Sequence, residues 1–373
     1  MEPRLSIIIP TKNRQRYCLA AVKQILSLDM RDFEICIQDN SDDNILEHEI
    51  ISLGSNYVKY NYHKGLLSFV DNFNEAVSLC SGKYACMIGD DDGLLRSIES
   101  VVEYADTHNV DAIIPELGVA YYWPTDKPLV PGAENGYLIT TRNPQVFKYE
   151  TVSPSVNNLL KNGGQDYHLF NLPKLYHGVV KRERLEDIKK VTGHYFGGLT
   201  PDIYIAVSLA LVCKTVCKVN ASITISGVCP TSGSADSDTG RHTGSLDHAP
   251  HFRGHENYIW CKEVPYIYSI ETIWADTLLH VFDDFKVEKT LSVSMLDAIC
   301  YFKYPQLRKE IQKHINEYNL SHVKLFLLYL KYWLSHFMPR VIGKVKRILK
   351  LGKPIKKYYD VSDIETAYKL YEI

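Results

Sequence analysis

The chain predicts an α/β protein: a Rossmann-like, mainly parallel sheet flanked by helices, followed by a helical C-terminal region. Three observations lead there. Short β-branched runs alternate with segments of helical period through residues 5–114. Polar clusters close three of those runs. Beyond Tyr258, apolar residues recur at helical spacing with no further strand signal. Alternating strands and helices imply right-handed crossovers and parallel pairing.

Residues 5–10 are a β-branched run closed by a Pro-Thr turn, the first strand. Residues 15–28 carry Leu19, Val22, Ile25 and Leu26 on one helical face. Residues 33–38 form the second strand and end in the polar cluster 39–43. Residues 57–62 form the third strand, and 68–79 the helix after it. The fourth strand, 84–88, runs directly into Gly89-Asp90-Asp91-Asp92. A helix over 95–107 and a strand over 111–114 complete the alternating part.

The middle is less regular. Residues 122–149 contain Pro124, Pro128, Pro131 and Gly132, which predicts an irregular excursion. Strands are expected over 175–180 and 218–227, with helices over 182–190 and 203–212. Residues 230–250 are rich in Ser, Thr, Gly, Asp and His and nearly free of large apolar side chains. That is the composition of a mobile loop, and long loops of this kind serve as active-site lids. Later helices are expected near 266–283, 288–301 and 305–318. Residues 321–351 mix Leu, Tyr, Trp and Phe with Lys and Arg. The expected division is a catalytic domain over 1–255 and a helical region over 256–373.

Composition narrows the function. Hydrophobic residues make up 45% and charged residues 23%, ordinary values for a folded soluble chain. A formal net charge of -2 gives no overall pull toward nucleic acid, so no nucleic-acid partner is expected. Nine cysteines, an odd number without zinc-site spacing, read as reduced thiols in a cytoplasmic protein. Residues 1–9 do not form a signal peptide, and no run of eighteen apolar residues predicts a membrane span.

Ligands of open α/β sheets bind beyond the carboxyl ends of the strands. Three such ends are polar here: Pro10-Thr11-Lys12-Asn13-Arg14, then 39–43, then Asp90 to Asp92. Turn chemistry alone accounts for one polar cluster. It accounts poorly for three adjacent carboxylates, whose repulsion needs a cation or solvent to screen it. Mg or Mn is commonly held by one or two carboxylates plus substrate phosphates, and it neutralises charge on a leaving diphosphate.

The opening strand and loop, Leu5 to Arg14, resemble those of family 2 glycosyltransferases with the GT-A fold. Gln38 to Asp43 is similar to that family's nucleotide-reading turn, and Gly82 to Asp92 resembles the approach to its Asp-x-Asp motif. Gly-Asp-Asp-Asp departs from the commoner pattern, which has an acid in the first place. These motifs span about the first hundred residues. The resemblance implies a nucleotide-diphospho-sugar donor bound by residues 1–110 and an acceptor held by 111–255, with the lid at 230–250. Pro10, Thr11, Asn13 and Arg14 would line the base and ribose side. Asp39 would accept a hydrogen bond from the base, with Asn40 and Ser41 beside it. Asp92 is the first candidate for the Mn2+ or Mg2+ ligand, with the register of the rest open between Asp90 and Asp91. For Thr11 and Asn13 the alternative role is helix capping. Asn72 is a weaker donor-site candidate, with capping or surface exposure as its alternatives.

Asp202 stands in Thr200-Pro201-Asp202 at the start of a helix, where an acid also suits the helix dipole. The resemblance implies a general base on the acceptor hydroxyl, in an inverting reaction. Within the lid, Ser232, Ser234 and Arg241 could meet a diphosphate, and His242 or His248 could complete a metal shell. His177 is either an acceptor-pocket residue or a satisfied core histidine. Leu325, Leu328, Tyr329, Tyr332, Trp333 and Phe337 recur at helical spacing beside basic residues that extend to Lys357. That suits a helix lying on a membrane surface through 321–357, on the inner face of the cell membrane, or one docked on the catalytic domain. The implied function is transfer of a sugar to a glycan or lipid-linked glycan acceptor in bacterial surface polysaccharide assembly. The alternatives are a nucleotidyltransferase, which releases pyrophosphate, and a non-catalytic nucleotide-sugar-binding module. The sequence leaves oligomeric state open.

Overall fold

The structure, a computed structural model, describes residues 2–231, 243–244, 246, 250–252, 258–348 and 354–373. The four expected strands form: β1 (Leu5–Thr11), β2 (Phe33–Asp39), β3 (Val58–Tyr62) and β4 (Tyr84–Met87). They lie in the order β3-β2-β1-β4, all parallel. Every residue of β1 and β2 is buried, as strands covered by helices on both faces must be. The pleat divides their side chains between two cores. Ile8 packs with Val70, Met87 and Ile203, whereas Ile7, Ile9, Ile35 and Ile37 pack with Val22 and Ile25.

The crossover helices follow from local signals. α1 (Gln15–Leu26) buries Cys18, Ala21, Val22 and Ile25, one face of a 3.6-residue period. The sequence reading omitted α2 (Ile45–Ser52), which is only eight residues long and buries just Leu46 and Ile50. α3 (Phe69–Ser78) starts at Ser68, whose side chain accepts the Asp71 amide. β5 (Gly93–Leu94) follows the carboxylate run, and α4 (Ser97–Thr107) leads into β6 (Ala112–Pro115).

Residues 122–149 depart from the expected irregular excursion. β7 (Val119–Tyr122) pairs antiparallel with β8 (Tyr137–Thr141), and β9 (Phe147–Glu150) closes the first sheet. The Pro and Gly residues mark the turn between β7 and β8, and the flanking aromatic and β-branched residues still form a ladder. After α5 (Ser153–Lys161), the expected strand 175–180 shrinks to β10 (Val179–Lys181). It lies antiparallel between β4 and β6. His177, at φ 58, turns the chain just before it.

α6 (Arg182–Thr192) and α7 (Pro201–Val212) follow. The expected strand 218–227 divides into β11 (Val216–Val219) in the first sheet and β12 (Thr224–Val228) in a second. The first sheet runs β3-β2-β1-β4-β10-β6-β11-β9.

β13 (Thr243–Gly244) pairs with β14 (Tyr268–Ser269). Then come α8 (Ile270–Asp284), α9 (Val293–Lys303), α10 (Arg308–Glu317) and the long α11 (His322–Ile348). β15 (Ile355–Tyr359) and α12 (Ile364–Glu372) end the chain. β15 pairs with β8, giving the second sheet the order β15-β8-β7-β12-β5. α12 packs Ile364 and Ala367 into a core with Leu95, Tyr121 and Trp123. The final helix thus lies behind the carboxylate run. The whole is a mixed α/β sheet with flanking helices and a mainly helical C-terminal region, where β14 and β15 depart from the expected absence of strands.

Candidate active site

Strand register assembles the site. Ile8 stands beside Met87 in the β1–β4 ladder, so three residues further on Thr11 meets Asp90. Thr11 Oγ1 donates to Asp90 Oδ2 at 2.7 Å. On the other side, Thr11 stands beside Asp39 in the β1–β2 ladder. Arg14, at the start of α1, places Nη2 at 3.0 Å from Asp90 Oδ1 and Nη1 at 3.8 Å from Asp91 Oδ1. Neither Thr11 nor Asn13 caps α1, whose N-cap is Arg14 without a side-chain bond. Asn13 instead takes a left-handed φ of 56 and exchanges hydrogen bonds with Asp42, while its amide donates to Ser41 Oγ. Pro10, one residue before the end of β1, is buried beside Gln38.

The three carboxylates are buried and differently engaged. Asp91 Oδ2 accepts the Cys229 amide at 2.9 Å. Asp92 Oδ1 accepts the Gly227 amide at 2.6 Å. Asp92 Oδ2 accepts the Gly89 amide at 2.6 Å and the Tyr176 hydroxyl at 3.1 Å. Asp91 Oδ1 is therefore the least engaged oxygen of the lower pair. Continuing the antiparallel β5–β12 register brings Gly227 against Asp91, where a Cβ would collide with the Asp91 carbonyl. Gly89 is equally tight: a Cβ there would collide with the Tyr176 hydroxyl.

Electrostatics follow from this burial. Desolvation pushes Asp90 up to about 7, with Arg14 pulling the other way, and pushes Asp92 up to about 6 against its hydrogen bonds. Asp91 is raised by desolvation and then by Asp92. His177 supplies no compensating charge. Its Nε2 lies 3.5 Å from Asp92 Oδ2, its Nδ1 pairs with Thr224 Oγ1 at 2.9 Å, and burial pushes it down to about 4. Among the described residues, three acids thus face one cation, Arg14. Excess buried negative charge on hard oxygen donors fits a divalent cation such as Mg2+ or Mn2+.

The second strand end forms the donor-side wall. Asp39 is fully buried, with Oδ1 accepting the Ser41 amide and Oδ2 the Tyr60 hydroxyl, both at 2.8 Å. Asn40 is tied to Lys12, His63 and Gly65. Asn72 is neither a cap nor exposed. It is buried, donates to the Thr11 carbonyl at 3.3 Å, and leaves its Oδ1 without a partner. An unpaired buried amide oxygen beside Thr11 is what a bound polar ligand would satisfy.

Asp202 is the second residue of α7, after Pro201 at the position that lacks an amide to lose. It is solvent-reachable yet ringed by protein: burial pushes it up to about 6, opposed by Lys174. Tyr176, whose hydroxyl donates to Asp92, also lies within electrostatic reach of Asp91 and Asp202. Two participants were missed from sequence. Trp123 donates its indole N–H to the Asp91 carbonyl at 2.8 Å, and Tyr176 donates to Asp92 as described. Both come from segments read as an excursion and a plain strand, and no spacing signal marks them. Ser232, Ser234, Arg241, His242 and His248 lie outside the described residues.

Residues 6–158 match the sequence model of glycosyl transferase family 2. Over that segment the chain is similar to family 2 glycosyltransferases. The matched segment includes Thr11, Arg14, Asp39, Asn72 and Asp90 to Asp92, and it stops before Asp202. A curated relative, the GalNAc(5)-diNAcBac-PP-undecaprenol beta-1,3-glucosyltransferase of Campylobacter jejuni, is 34% identical over 106 residues. That alignment covers 27% of this chain and 33% of the relative, so the chain spans about a third of the length of the curated protein it matches. Among solved structures, S. aureus TarS 1-349 superposes at a TM-score of 0.46 with 14% identity, covering 89% of this chain and 92% of TarS. Its complex with UDP-GlcNAc gives 0.46 with 12% identity, covering 84% and 72%.

Among the described residues, no helix is long and apolar enough to cross a membrane. All nine cysteines are free thiols. α11 docks on the rest of the chain along one side. Leu325 is buried and Tyr329 stacks on Phe302 at 4.9 Å, while His336 reaches Asp166 at 3.0 Å. The opposite side leaves Phe326, Leu327, Leu330, Trp333, Leu334 and Phe337 exposed.

Proposed function

We propose that this chain transfers a sugar from a nucleotide-diphospho-sugar to an acceptor hydroxyl, with Asp202 as general base and with inversion at the anomeric carbon. The observation that carries the reading is the convergence of polar strand ends. Thr11, Arg14 and Asp90 to Asp92 meet at adjacent strand ends, and Tyr176, which donates to Asp92, lies within electrostatic reach of the accessible, high-pKa Asp202.

The donor's nucleoside would lie along Pro10, Thr11, Asn13 and Asp39 to Ser41, with Asn72 Oδ1 accepting one of its hydroxyl or amide protons. A divalent cation would be held by Asp91 and Asp92, with Asp90 turned to Thr11 and Arg14, and would neutralise charge on the diphosphate. Arg14, a permanent cation with two donors at the site, contributes in the same sense. The acceptor oxygen would attack the anomeric carbon as the bond to the diphosphate breaks. Its proton passes to the Asp202 carboxylate. An acid poised near 6 is largely ionised at neutral pH and remains a stronger base than an ordinary aspartate.

The acceptor would be a glycan, free or lipid-linked, of a bacterial surface polysaccharide. Support comes from the lipid-linked substrate named for the Campylobacter relative and from α11. Its exposed apolar stripe is bordered by Lys324, Lys331, Arg340 and Lys344, which suits an anionic membrane surface.

The test is to incubate the protein with a panel of nucleotide sugars, with Mn2+ or with chelator, and to analyse the products. Donor-dependent release of nucleoside diphosphate is expected. Release of pyrophosphate would show a nucleotidyltransferase, and no turnover across the panel and metals would show a binding module.

A further inference from the structure

A cavity of about 480 Å³ opens along the same sheet edge, on the Asp202 side of the site. β6 and β11 run parallel, and the cavity lies beyond their carboxyl ends. Lys174 and Lys218 both line it, together with Asn171, His168, Asn220 and one carboxylate, Glu116.

The two lysines are the unusual feature. Lys174 Nζ reaches the His168 carbonyl at 3.5 Å and stands 5.9 Å from the centre of the Tyr167 ring, and Lys218 Nζ donates to Asn171 Oδ1 at 3.2 Å. Neither ammonium forms an ion pair among the described residues. Each is only partly exposed. They repel one another: burial and Lys218 depress Lys174, while Asp202 raises it. Two partly desolvated cations face one cavity and repel each other, while the carboxylate in the lining, Glu116, accepts from Asn143 at 3.0 Å and forms no ion pair with either lysine. An oxyanion between them offsets that repulsion.

We propose that this cavity is an acceptor subsite for an anionic group, a phosphate or a sugar carboxylate, carried by the acceptor beside its reacting hydroxyl. The inference rests on the reading of Asp202 as the base. Lys174 is the hinge of the argument, because it lines the cavity and is also the cation that Asp202 feels. Lys174 and Lys218 take the anion, and Asn171 and Asn220 supply amide groups. The pair thereby selects acidic acceptors over neutral ones of the same shape. Anion binding also offsets the pull of Lys174 on Asp202, which leaves the base more basic when the correct acceptor is present.

The test uses amine acetylation of the full chain, followed residue by residue by mass spectrometry, at constant ionic strength set with chloride. The probes are inorganic phosphate, glucuronate and, as a neutral control, glucose. Phosphate or glucuronate should slow labelling of Lys174 and Lys218 relative to the other lysines, and glucose should not. Which anion protects at the lower concentration distinguishes the two sources. In Lys218→Met, the concentration that protects Lys174 should rise about tenfold or more, the worth of one charge-assisted hydrogen bond. Equal labelling with all three probes, or unchanged protection in Lys218→Met, overturns the subsite. Donor-dependent release of nucleoside diphosphate is measured on the same samples. If that release persists without protection, the subsite fails alone. If protection occurs without release, the transferase reading fails and the cavity remains an oxyanion site.

Discussion

Replacing Asp202 by Asn separates binding from chemistry most cleanly. The carboxylate lies at the start of α7, solvent-reachable, with no hydrogen bond to the carboxylate run. The amide should therefore leave the fold and the donor site intact. Loss of a positioned general base costs about 10²–10⁴ in rate. The wild-type pH profile supplies an independent measure. With Asp202 at about 6, the ionised fraction falls roughly tenfold between pH 7 and pH 5, so kcat should fall by about the same factor. The direction is set by burial, which raises the pKa. An ordinary aspartate would keep the rate nearly flat over that range. The assay is release of nucleoside diphosphate at saturating Mn2+, which keeps the carboxylate run ionised, with donor binding measured by titration in parallel. Asp202→Asn should bind donor as the wild type does and show no limb near 6 in its residual rate. Full turnover in the mutant, or a limb near 6 that survives the substitution, would refute the assignment of the base.

Further outcomes follow from the same geometry. Gly227→Ala drives a Cβ into the Asp91 carbonyl and should destabilise the protein by about 3 kcal/mol, read as a lower urea midpoint. Arg14→Met removes the cation that pairs with Asp90. It should cost about 3 kcal/mol at pH 8 and less at pH 5, where Asp90 takes a proton instead, and equal costs at both pH values would contradict the pairing. The folded-state pKa values of Asp90 and Asp92 lie above those of an unfolded aspartate, so their stabilising contribution is full below about 4 and is lost as pH rises through 6 to 7. The Tm of the metal-free protein should fall over that window. Mn2+ should raise Tm more at pH 8 than at pH 5, and Asp91→Asn should abolish that increment. Changing Trp333, Leu334 and Phe337 together to Ser should reduce flotation with anionic vesicles while leaving Tm within a degree or two of wild type, because these side chains point away from the core; unchanged flotation would argue against the membrane role.

Local chemistry made much of this protein legible before any coordinates. β1, β2 and β4 announce themselves as apolar runs because strands buried on both faces can hold little else. Their polar ends stand out against that background, which is why Thr11, Asp39 and Asp90 to Asp92 could be named together. Elements whose signal is mixed were harder. α2 buries only two residues, and β7 and β8 are interrupted by the prolines of their own turn. Polarity alone could not rank the roles of Asn13 and Asn72. Both were compatible with caps, and only the structure turns Asn13 to Asp42 and buries the Asn72 oxygen unpaired.

The sequence by itself determined the alternating sheet, the strand ends that carry the polar groups, and the helix start that carries Asp202, because each depends on residues adjacent in the chain. Tertiary structure decided the rest. Register brings Thr11 to Asp90 across 79 residues, Gly227 to Asp92 across 135, and Tyr176 to Asp92 across 84. It also returns β15 and α12 to the second sheet, behind the carboxylates. Contacts between such distant segments depend on how strands and helices pack in three dimensions, so no pattern of neighbouring residues encodes them. For the same reason, the uneven engagement of Asp90, Asp91 and Asp92 became visible only once Arg14, Gly227 and Tyr176 stood around them.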